Sequence, residues 1–565
     1  MNPVAEAGAG TGSSARRHGT SARPAPPAQR QRADLPTAVL HWGLVLALLV
    51  SVSTGWRIAS LEDGAVARWV DALSLQGNVP WLHFTSATVL VALVVAYFVF
   101  LWRLGLLGRL SLRLASLRSP DRRTRWQALN RLVYWVALAL LATSAMTGTL
   151  MYFAPGLVPT EPLAALHHII SWAFVAYIAV HVLAQWALGG VAQLIKLFTP
   201  RMAHGAGAAL ALGAGAAVAA VAVLADKGSL TALQVARTNA APVLDGDGGD
   251  AAWANAREAR VHTTRGHGLE GGEVTVHVKA LHDGRRAWLL FRWPDATRSQ
   301  KHLPLVKTEA GWKVMQTNLA VNDETQFYED KFAVMLARTP RIGGDTVRLG
   351  TQPLAGKPGP AHGMGLHATS DGSVADVWHW KSVRTGSINQ IDDNYFGPPM
   401  EAKKGRYTGG YTQDPNKGGG FEQNYAAQAG SATVQLKYLP KDLAAQQARL
   451  KAFNPSPDAS DAGEFSMRAD EVEPYSAAAD SRIPVGTVIP SVIAVRPFEG
   501  DRGDVTAHAT WKDGWWTLET SRALDTGSPY DQPIADGIYL WVSVFDHSQV
   551  RHTRHVRPLA IRLQR

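Results

Sequence analysis

Four histidines stand at the edges of long apolar stretches: His41 in PTAVLHWGLVLALLV, His83 in VPWLHFTSATVLVALVV, and His167 and His181 at the two ends of LHHIISWAFVAYIAVH. A neutral imidazole offers a lone pair to a metal, and ionisable side chains within apolar spans are costly enough to mark function. Each residue of a helix advances 100°. The fourteen-residue step from His167 to His181 is therefore four turns less 40°, which puts both rings on one face about 21 Å apart. His168 points about 140° away from His181. Two imidazoles on opposite sides of one haem iron make a six-coordinate centre suited to electron transfer, with no open position for chemistry. Zinc fits less well, because no carboxylate or thiolate accompanies these histidines.

The elements that must position them are apolar runs of about 20 residues at 38–58, 80–102, 130–153, 166–188 and 203–225, each the length of a bilayer-spanning helix. The fifth, AHGAGAALALGAGAAVAAVAVLA, is mostly Ala and Gly and only mildly apolar. Residues 103–125 carry seven arginines against Asp121, and residues 189–202 carry Lys196 and Arg201 with no acid. The other two connections are poor in positive charge, so the first segment starts inside. With five crossings everything after residue 226 lies outside, in a bacterium the periplasm; with four it lies in the cytoplasm. Threading the helices puts His41 and His181 near the inner surface and His83 and His167 near the outer one, two pairs at two depths. Gly55 in VSTGW and Gly148 in AMTGT leave room for a flat macrocycle, or serve only to let helices approach.

The chain has 565 residues and no cysteine, which excludes disulfides, thiolate-held iron–sulfur clusters and covalently attached c-type haem. Its net charge of +10 is concentrated in the membrane half, where topology accounts for it, so no nucleic-acid partner is implied. The chain divides into a disordered cytoplasmic tail (1–33), a four-helix di-haem membrane domain (34–202), a fifth helix with its linker (203–228) and a β-sandwich soluble domain (229–565). The fold class is thus an all-α transmembrane bundle followed by an all-β domain. No nucleotide, flavin or molybdenum fingerprint occurs.

The soluble part reads as strands. Runs such as EVTVHVKALHDG, RAWLLFRW, VADVWHWKS and GIYLWVSVFD alternate with period two, and HATWKDGWWTLETSRAL is a hairpin turning at Asp513-Gly514. Long Gly/Pro/Lys stretches at 341–365 and 401–421 read as surface loops. Histidines recur with a methionine in HGMGLH (His362, Met364, His367) and again in FDHSQVRHTRH (His547, His552, His555). His379, in VWHWK, reads as an ordinary strand residue.

Two resemblances follow. Residues 34–190, with PTAVLHW opening the first helix, a histidine early in the second and two histidines fourteen apart in the fourth, resemble the bacterial cytochrome b561 and hydrogenase-type cytochrome b subunits. That resemblance implies two b-type haems, one on His41 and His181 and one on His83 and His167, with His168 as the alternative to His167. The segments APVLDGDGGDAAW, YEDKFAVMLA, GLHATSDGSVADVWHWKSVR and WWTLETSRALDTG resemble the haem-binding γ-subunit domain of ethylbenzene and dimethylsulfide dehydrogenases. It implies a β-sandwich with one b-type haem, held in that family by a methionine ahead of the WxWK strand and a lysine near the C-terminus. Here the first position corresponds to Met364 or His367. No lysine lies in the C-terminal segment, so His555 or His552 substitutes, and His367 with His555 is the expected pair.

The implied function is a bacterial inner-membrane cytochrome that carries electrons between the quinone pool and a periplasmic redox protein or dehydrogenase, through two membrane haems and a third outside. A membrane cytochrome acting directly on a small molecule such as superoxide is the first alternative, and a membrane-anchored ligand-binding β-domain without the third haem is the second.

Overall fold

Five stretches have both the length and the composition to cross a membrane, and all five are helices: α1 (Leu35–Ala59), α2 (Val79–Arg103), α3 (Arg122–Phe153), α4 (Thr160–Ile195) and α5 (Gly205–Gly228). They belong to a computed structural model that describes the chain except residues 1–32, 60–77, 202–204, 317–323, 349–366, 399–410, 428–431, 451–453 and 458. The helix starts are locally encoded. Asn78 caps α2 by accepting from the Trp81 amide at 3.0 Å, and Asp121 caps α3 by accepting from Thr124 at 2.8 Å. The double glycine Gly189-Gly190 breaks the regular geometry near the end of α4.

Helix α1 packs on α2 and α3 on α4, with α1 also meeting α4. Helix α5 lies against α2, which explains its Ala/Gly composition. Gly207, Ala211 and Gly215 form a buried stripe at four-residue spacing, and a Cβ on Gly215 would stand 2.9 Å from the Ala92 carbonyl oxygen. Only small residues let two backbones come that close. Leu46, Ile169, Leu183, Val221 and Leu224 point outward and are exposed, as side chains in contact with lipid must be. The chain is an integral membrane protein.

Beyond α5 the chain is β-rich. One sheet holds twelve strands: β1 (Ala232–Arg237), β2 (Ala259–Thr263), β3 (Val274–His282), β4 (Arg286–Pro294), β5 (Lys331–Ala337), β6 (Ala375–Lys381), β7 (Asp392–Phe396), β8 (Tyr411–Gln413), β9 (Thr506–Lys512), β10 (Trp515–Ala523), β11 (Tyr539–Phe545) and β12 (Leu559–Leu563). Their spatial order is β8-β7-β6-β5-β11-β12-β1-β3-β4-β10-β9, with β2 beside β3. The sheet curls until its ends meet, so the Ile391 amide just before β7 donates to the Val505 carbonyl just before β9 at 3.0 Å. Two halves of one sheet therefore face each other as the layers of the sandwich. Across the shared core Trp293 stacks on Phe332 at 4.6 Å and Trp380 meets Trp516 edge-on at 5.1 Å.

The β9–β10 hairpin turns on Asp513 (φ 52°) and Gly514 (φ 78°), the two positive-φ positions a two-residue type I′ turn demands. The stretch read as a loop over 401–421 is partly strand: Tyr411–Gln413 joins the large sheet, and Gly418–Gln423 starts a strand of a smaller one. The glycines there meet neighbouring backbone, since a Cβ on Gly419 would collide with the Pro497 carbonyl.

The β part seats on one end of the bundle, the end where α1, α3 and α5 finish and α2 and α4 begin. Tyr152 donates to Asp226 at 2.9 Å, the Arg557 guanidinium donates to the Asp226 carbonyl at 2.8 Å and covers the Phe153 ring, and Asn78 donates to the Ile342 carbonyl at 3.2 Å.

Candidate cofactor sites

His83, one turn into α2, and His167, in the second turn of α4, face each other with ring centroids 6.2 Å apart and planes at 77°. The Nδ1 of His83 lies 3.0 Å from the Ser51 carbonyl oxygen. A carbonyl only accepts, so the proton sits on Nδ1 and the Nε2 lone pair is free. Thr54, whose hydroxyl donates to the Val50 carbonyl at 2.6 Å, turns its oxygen to the same Nδ1 at 3.0 Å. His167 is held alike: its Nδ1 is 2.8 Å from the Thr147 oxygen, and Thr147 donates to the Thr143 carbonyl at 2.9 Å.

The two clamps are one motif used twice. Ser51-x-x-Thr54-Gly55 on α1 holds the histidine of α2, and Ser144-x-x-Thr147-Gly148 on α3 holds that of α4. The glycines serve the imidazoles: a Cβ on Gly55 would stand 3.2 Å from His83 Cε1, and one on Gly148 3.5 Å from His167 Cε1. Sequence reading singled out both glycines but missed the repeat, although the shared S-x-x-T-G was visible.

At the other end of the bundle His41 and His181 have ring centroids 6.2 Å apart and planes at 33°. Tyr177 and Tyr134 flank His181 at 5.6 Å and 5.9 Å. The His181 Nδ1 is buried and has no hydrogen-bond partner among the described residues. His168 stands apart from both pairs; its Nε2 accepts from the Trp172 indole N–H at 3.2 Å.

Both centroid spacings suit a bis-imidazole iron. A metal–nitrogen bond is about 2 Å and a ring centre lies roughly 1.1 Å behind its nitrogen, so two rings on one metal sit about 6.2 Å apart. The paired residues fit the group.

The β part fits less well. Met364 lies outside the described residues. His367 opens a short strand, His367–Thr369, paired with Arg348. The expectation that His555 supplies a ligand does not suit the geometry found. Its Nδ1–H donates to the Arg557 carbonyl at 2.8 Å and its Nε2 accepts from the Val542 amide at 2.9 Å, so both nitrogens are spent on the main chain. Burial pushes its pKa down to about 4. His552 donates from Nδ1 to the Thr553 carbonyl at 2.7 Å, and its ring lies 4.7 Å from Phe545.

His379 proves more interesting than its strand position suggested. On β6 it alternates with Trp378 and Trp380 and so lies on the face away from the shared core, stacked on Phe545 at 5.3 Å. Its Nε2 is buried without a hydrogen-bond partner among the described residues. Burial and the nearby Lys381, Lys331 and Arg384 hold its pKa well below the ordinary histidine range, so the ring is neutral. The neighbouring floor is made of half-buried small residues, Ala333 on β5 and Ser543 on β11, with Met335 beyond. Alternation in VWHWK told which face the ring takes, but no sequence signal told that its nitrogen would be left unpaired.

Comparison with known proteins adds two matches. Residues 250–557 match the family model described as ethylbenzene dehydrogenase, and residues 32–197 that described as prokaryotic cytochrome b561. No curated protein matches the chain. Among solved structures, a carbohydrate binding module family 9 from Caldicellulosiruptor kristjanssonii in complex with glucose shares 10% identity over 59% of this chain and 96% of its own, with a TM-score of 0.23. The same module in complex with cellotriose shares 10% identity over 59% and 94%, with a TM-score of 0.21.

Proposed function

The chain belongs to the ethylbenzene dehydrogenase family, and on that premise we propose that it passes electrons between the quinone pool and a redox protein or dehydrogenase on the outer side of a bacterial inner membrane. Its first part is a membrane-embedded b-type cytochrome of the prokaryotic b561 kind, working in electron transfer. We assign one haem to His41 and His181 and a second to His83 and His167. The observation that carries this reading is the pair of 6.2 Å centroid spacings at the two depths of one bundle. A haem held by two imidazoles exchanges single electrons and has no open position for a substrate. The protein's own part is to keep a proton on Nδ1 of His83 and His167 through Ser51, Thr54 and Thr147, which leaves each Nε2 free and orients its ring.

The arginine-rich connection at 103–125 argues that the His41 end is cytoplasmic, and with five crossings the β part is periplasmic. Its seat over the His83 and His167 end supports a relay outward. A third haem in the β part rests on the family likeness, and His379 Nε2, neutral and unpaired, is the described nitrogen best placed to hold it.

Haem content by alkaline pyridine haemochrome on the full-length protein tests the reading. Three haems per chain are expected, falling to two in His167→Ala, in His181→Ala and in His379→Ala. Two in the wild type, unchanged by His379→Ala, would remove the outer haem and favour a membrane cytochrome that itself acts on a small molecule. No haem at all would leave a membrane-anchored binding domain.

A further inference from the structure

The β-sandwich spends apolar positions on carboxylates. Asp376 on β6 is two residues from Trp378 on the same strand and Asp393 on β7 pairs with Trp378, so both lie on the same inward face as that tryptophan. Asp531 comes in from the loop between β10 and β11. One ligand atom from each of the three lies within 4.8 Å of the others, and all three residues are buried. Asp414, just past β8, lies against Asp531, and Asp504, just before β9, lies against Asp393. Five acids thus meet where the core would otherwise be apolar.

Their hydrogen bonding is half finished, in a regular way. Asp376 Oδ2 accepts from the Arg522 guanidinium at 2.7 Å and from the Gln532 amide at 3.1 Å, Asp393 Oδ1 accepts from the Asn394 amide at 3.0 Å, and Asp531 Oδ2 accepts from Thr526. The second oxygens, Asp376 Oδ1, Asp393 Oδ2 and Asp531 Oδ1, are buried and receive no N–H or hydroxyl donor among the described residues, and the same holds for both oxygens of Asp414 and Oδ1 of Asp504; Asp414 faces Asp531 and Asp504 faces Asp393 carboxyl to carboxyl. Asp376 and Asp393 are 0% exposed and Asp414 is 2% exposed. Among the described residues Arg522 is the guanidinium that pairs with these acids, meeting Asp376 and Asp531. Burial, and then the neighbouring carboxylates, raise Asp376 to about 6, Asp504 to about 7 and Asp414 to about 9.

We propose that Asp376, Asp393, Asp414 and Asp531 bind one calcium ion, which ties the β6–β7–β8 edge of the sheet to the loop between β10 and β11. The donors are all oxygen, which suits a hard cation and not zinc. Ligands about 2.4 Å from one ion are at most about 4.8 Å apart, and the three ligand atoms lie within 4.8 Å of one another. Magnesium prefers to keep several waters and is seldom held in an all-protein cage. A second acidic trio, Asp295, Asp330 and Asp546, is different. Asp330 accepts from Ser299, Trp516 and His547, and Asp546 is held by His547, so protein donors occupy two of its three acids and only Asp295 Oδ2 is left without one among the described residues.

The test uses the full-length protein in detergent. Metal content by mass spectrometry after exchange into calcium buffer is expected to show one calcium per chain. After EGTA treatment, 1 mM CaCl2 is expected to raise the midpoint of thermal unfolding, followed by near-ultraviolet dichroism, by on the order of 5–10 °C. The same concentration of MgCl2 should do far less. In Asp393→Asn the calcium and the shift are both lost. Because that change also removes one of the repelling charges, the variant in EGTA should unfold at or above the temperature of wild type in EGTA. Calcium-free wild-type protein with no shift on adding CaCl2 would overturn the proposal. So would an Asp393→Asn variant destabilised equally with and without calcium, since the cluster would then be a network of protonated acids. If the variant does not fold, the metal content and the shift of the wild type still decide.

Discussion

His167 in the membrane and His555 in the β-sandwich are both held by hydrogen bonds on Nδ1, yet they differ in what is left over. His167 donates to Thr147 and keeps Nε2 free, 6.2 Å ring to ring from His83. His555 donates to the Arg557 carbonyl and then accepts the Val542 amide, closing a main-chain link with no lone pair remaining. The histidine proposed as a ligand and the one bound to the main chain differ by one nitrogen, and packing sets that difference. The largest test of that difference is deletion. His167→Ala should remove one haem and abolish electron transfer across the bilayer, and His83→Ala should remove the same haem. His555→Ala should leave every haem in place and instead cost about 2–4 kcal/mol of stability by orphaning a buried amide and a buried carbonyl. Pyridine haemochrome and urea unfolding of the three variants separate the outcomes, and a haem lost from His555→Ala would reverse the assignment.

That difference also marks how far the sequence could be read. The five spans, the depth of each membrane histidine and the shared face of His167 and His181 follow from run length and a 100° step, which are local properties of the chain. The preference for His167 over His168 follows from the same step, and the structure turns His168 to Trp172. The clamp was not legible, because S-x-x-T-G acts on a histidine of another helix and its meaning depends on which helices touch. The Ala/Gly composition of α5 looked like weak hydrophobicity until Gly215 was seen against the Ala92 carbonyl. The surroundings of His555 were illegible for a related reason: both its partners are main-chain groups, which carry no residue signature. The curling of a single sheet into two layers lies equally beyond any local pattern.

A second prediction turns on protonation. His555 has a pKa near 4 in the folded protein against about 6.5 in an unfolded chain, so between those values the unfolded state binds a proton that the folded state does not. Its contribution is therefore complete above about pH 6.5 and declines as pH falls towards 4, by up to about 3 kcal/mol. Buried acids such as Asp414 titrate in the opposite sense, so the quantity to measure is the difference between wild type and His555→Ala. Urea midpoints at pH 7 and pH 5 should converge as the pH drops; a constant gap would show that burial does not hold this ring neutral.

The clamps themselves differ, and that difference predicts a smaller effect. Each ring has two acceptors beside it, the Ser51 carbonyl and Thr54 at His83 and the Ser144 backbone and Thr147 at His167, but the threonine oxygen stands 3.0 Å from His83 Nδ1 and 2.8 Å from His167 Nδ1. Thr147→Val removes one acceptor, weakens the electron donation of the imidazole and should raise the midpoint potential of the outer haem by tens of millivolts, where about 59 mV is tenfold in a one-electron equilibrium. Thr54→Val should shift it in the same direction and by less, because its contact with the ring is the longer of the two. The His41–His181 haem, with no partner on His181 Nδ1, should be unmoved by either. Redox titration followed in the α-band reads both potentials, and no shift in either variant would show that the threonines only pack.

The smallest effect separates the two glycines of the repeated motif. A methyl on Gly55 would meet His83 Cε1 at 3.2 Å, tighter than most real contacts, while one on Gly148 would meet His167 Cε1 at 3.5 Å, an ordinary van der Waals distance. Gly148→Ala should therefore be close to neutral. Gly55→Ala should push the His83 ring by a few tenths of an ångström, enough to alter the angle between the two imidazole planes, now 77°, without expelling the cofactor. Electron paramagnetic resonance of the oxidised protein is sensitive to that angle. A shifted low-field signal in Gly55→Ala with an unchanged one in Gly148→Ala is the expected result. Loss of haem from Gly148→Ala would mean instead that the space beside His167 is needed by the macrocycle itself, and that the two halves of the motif are not equivalent.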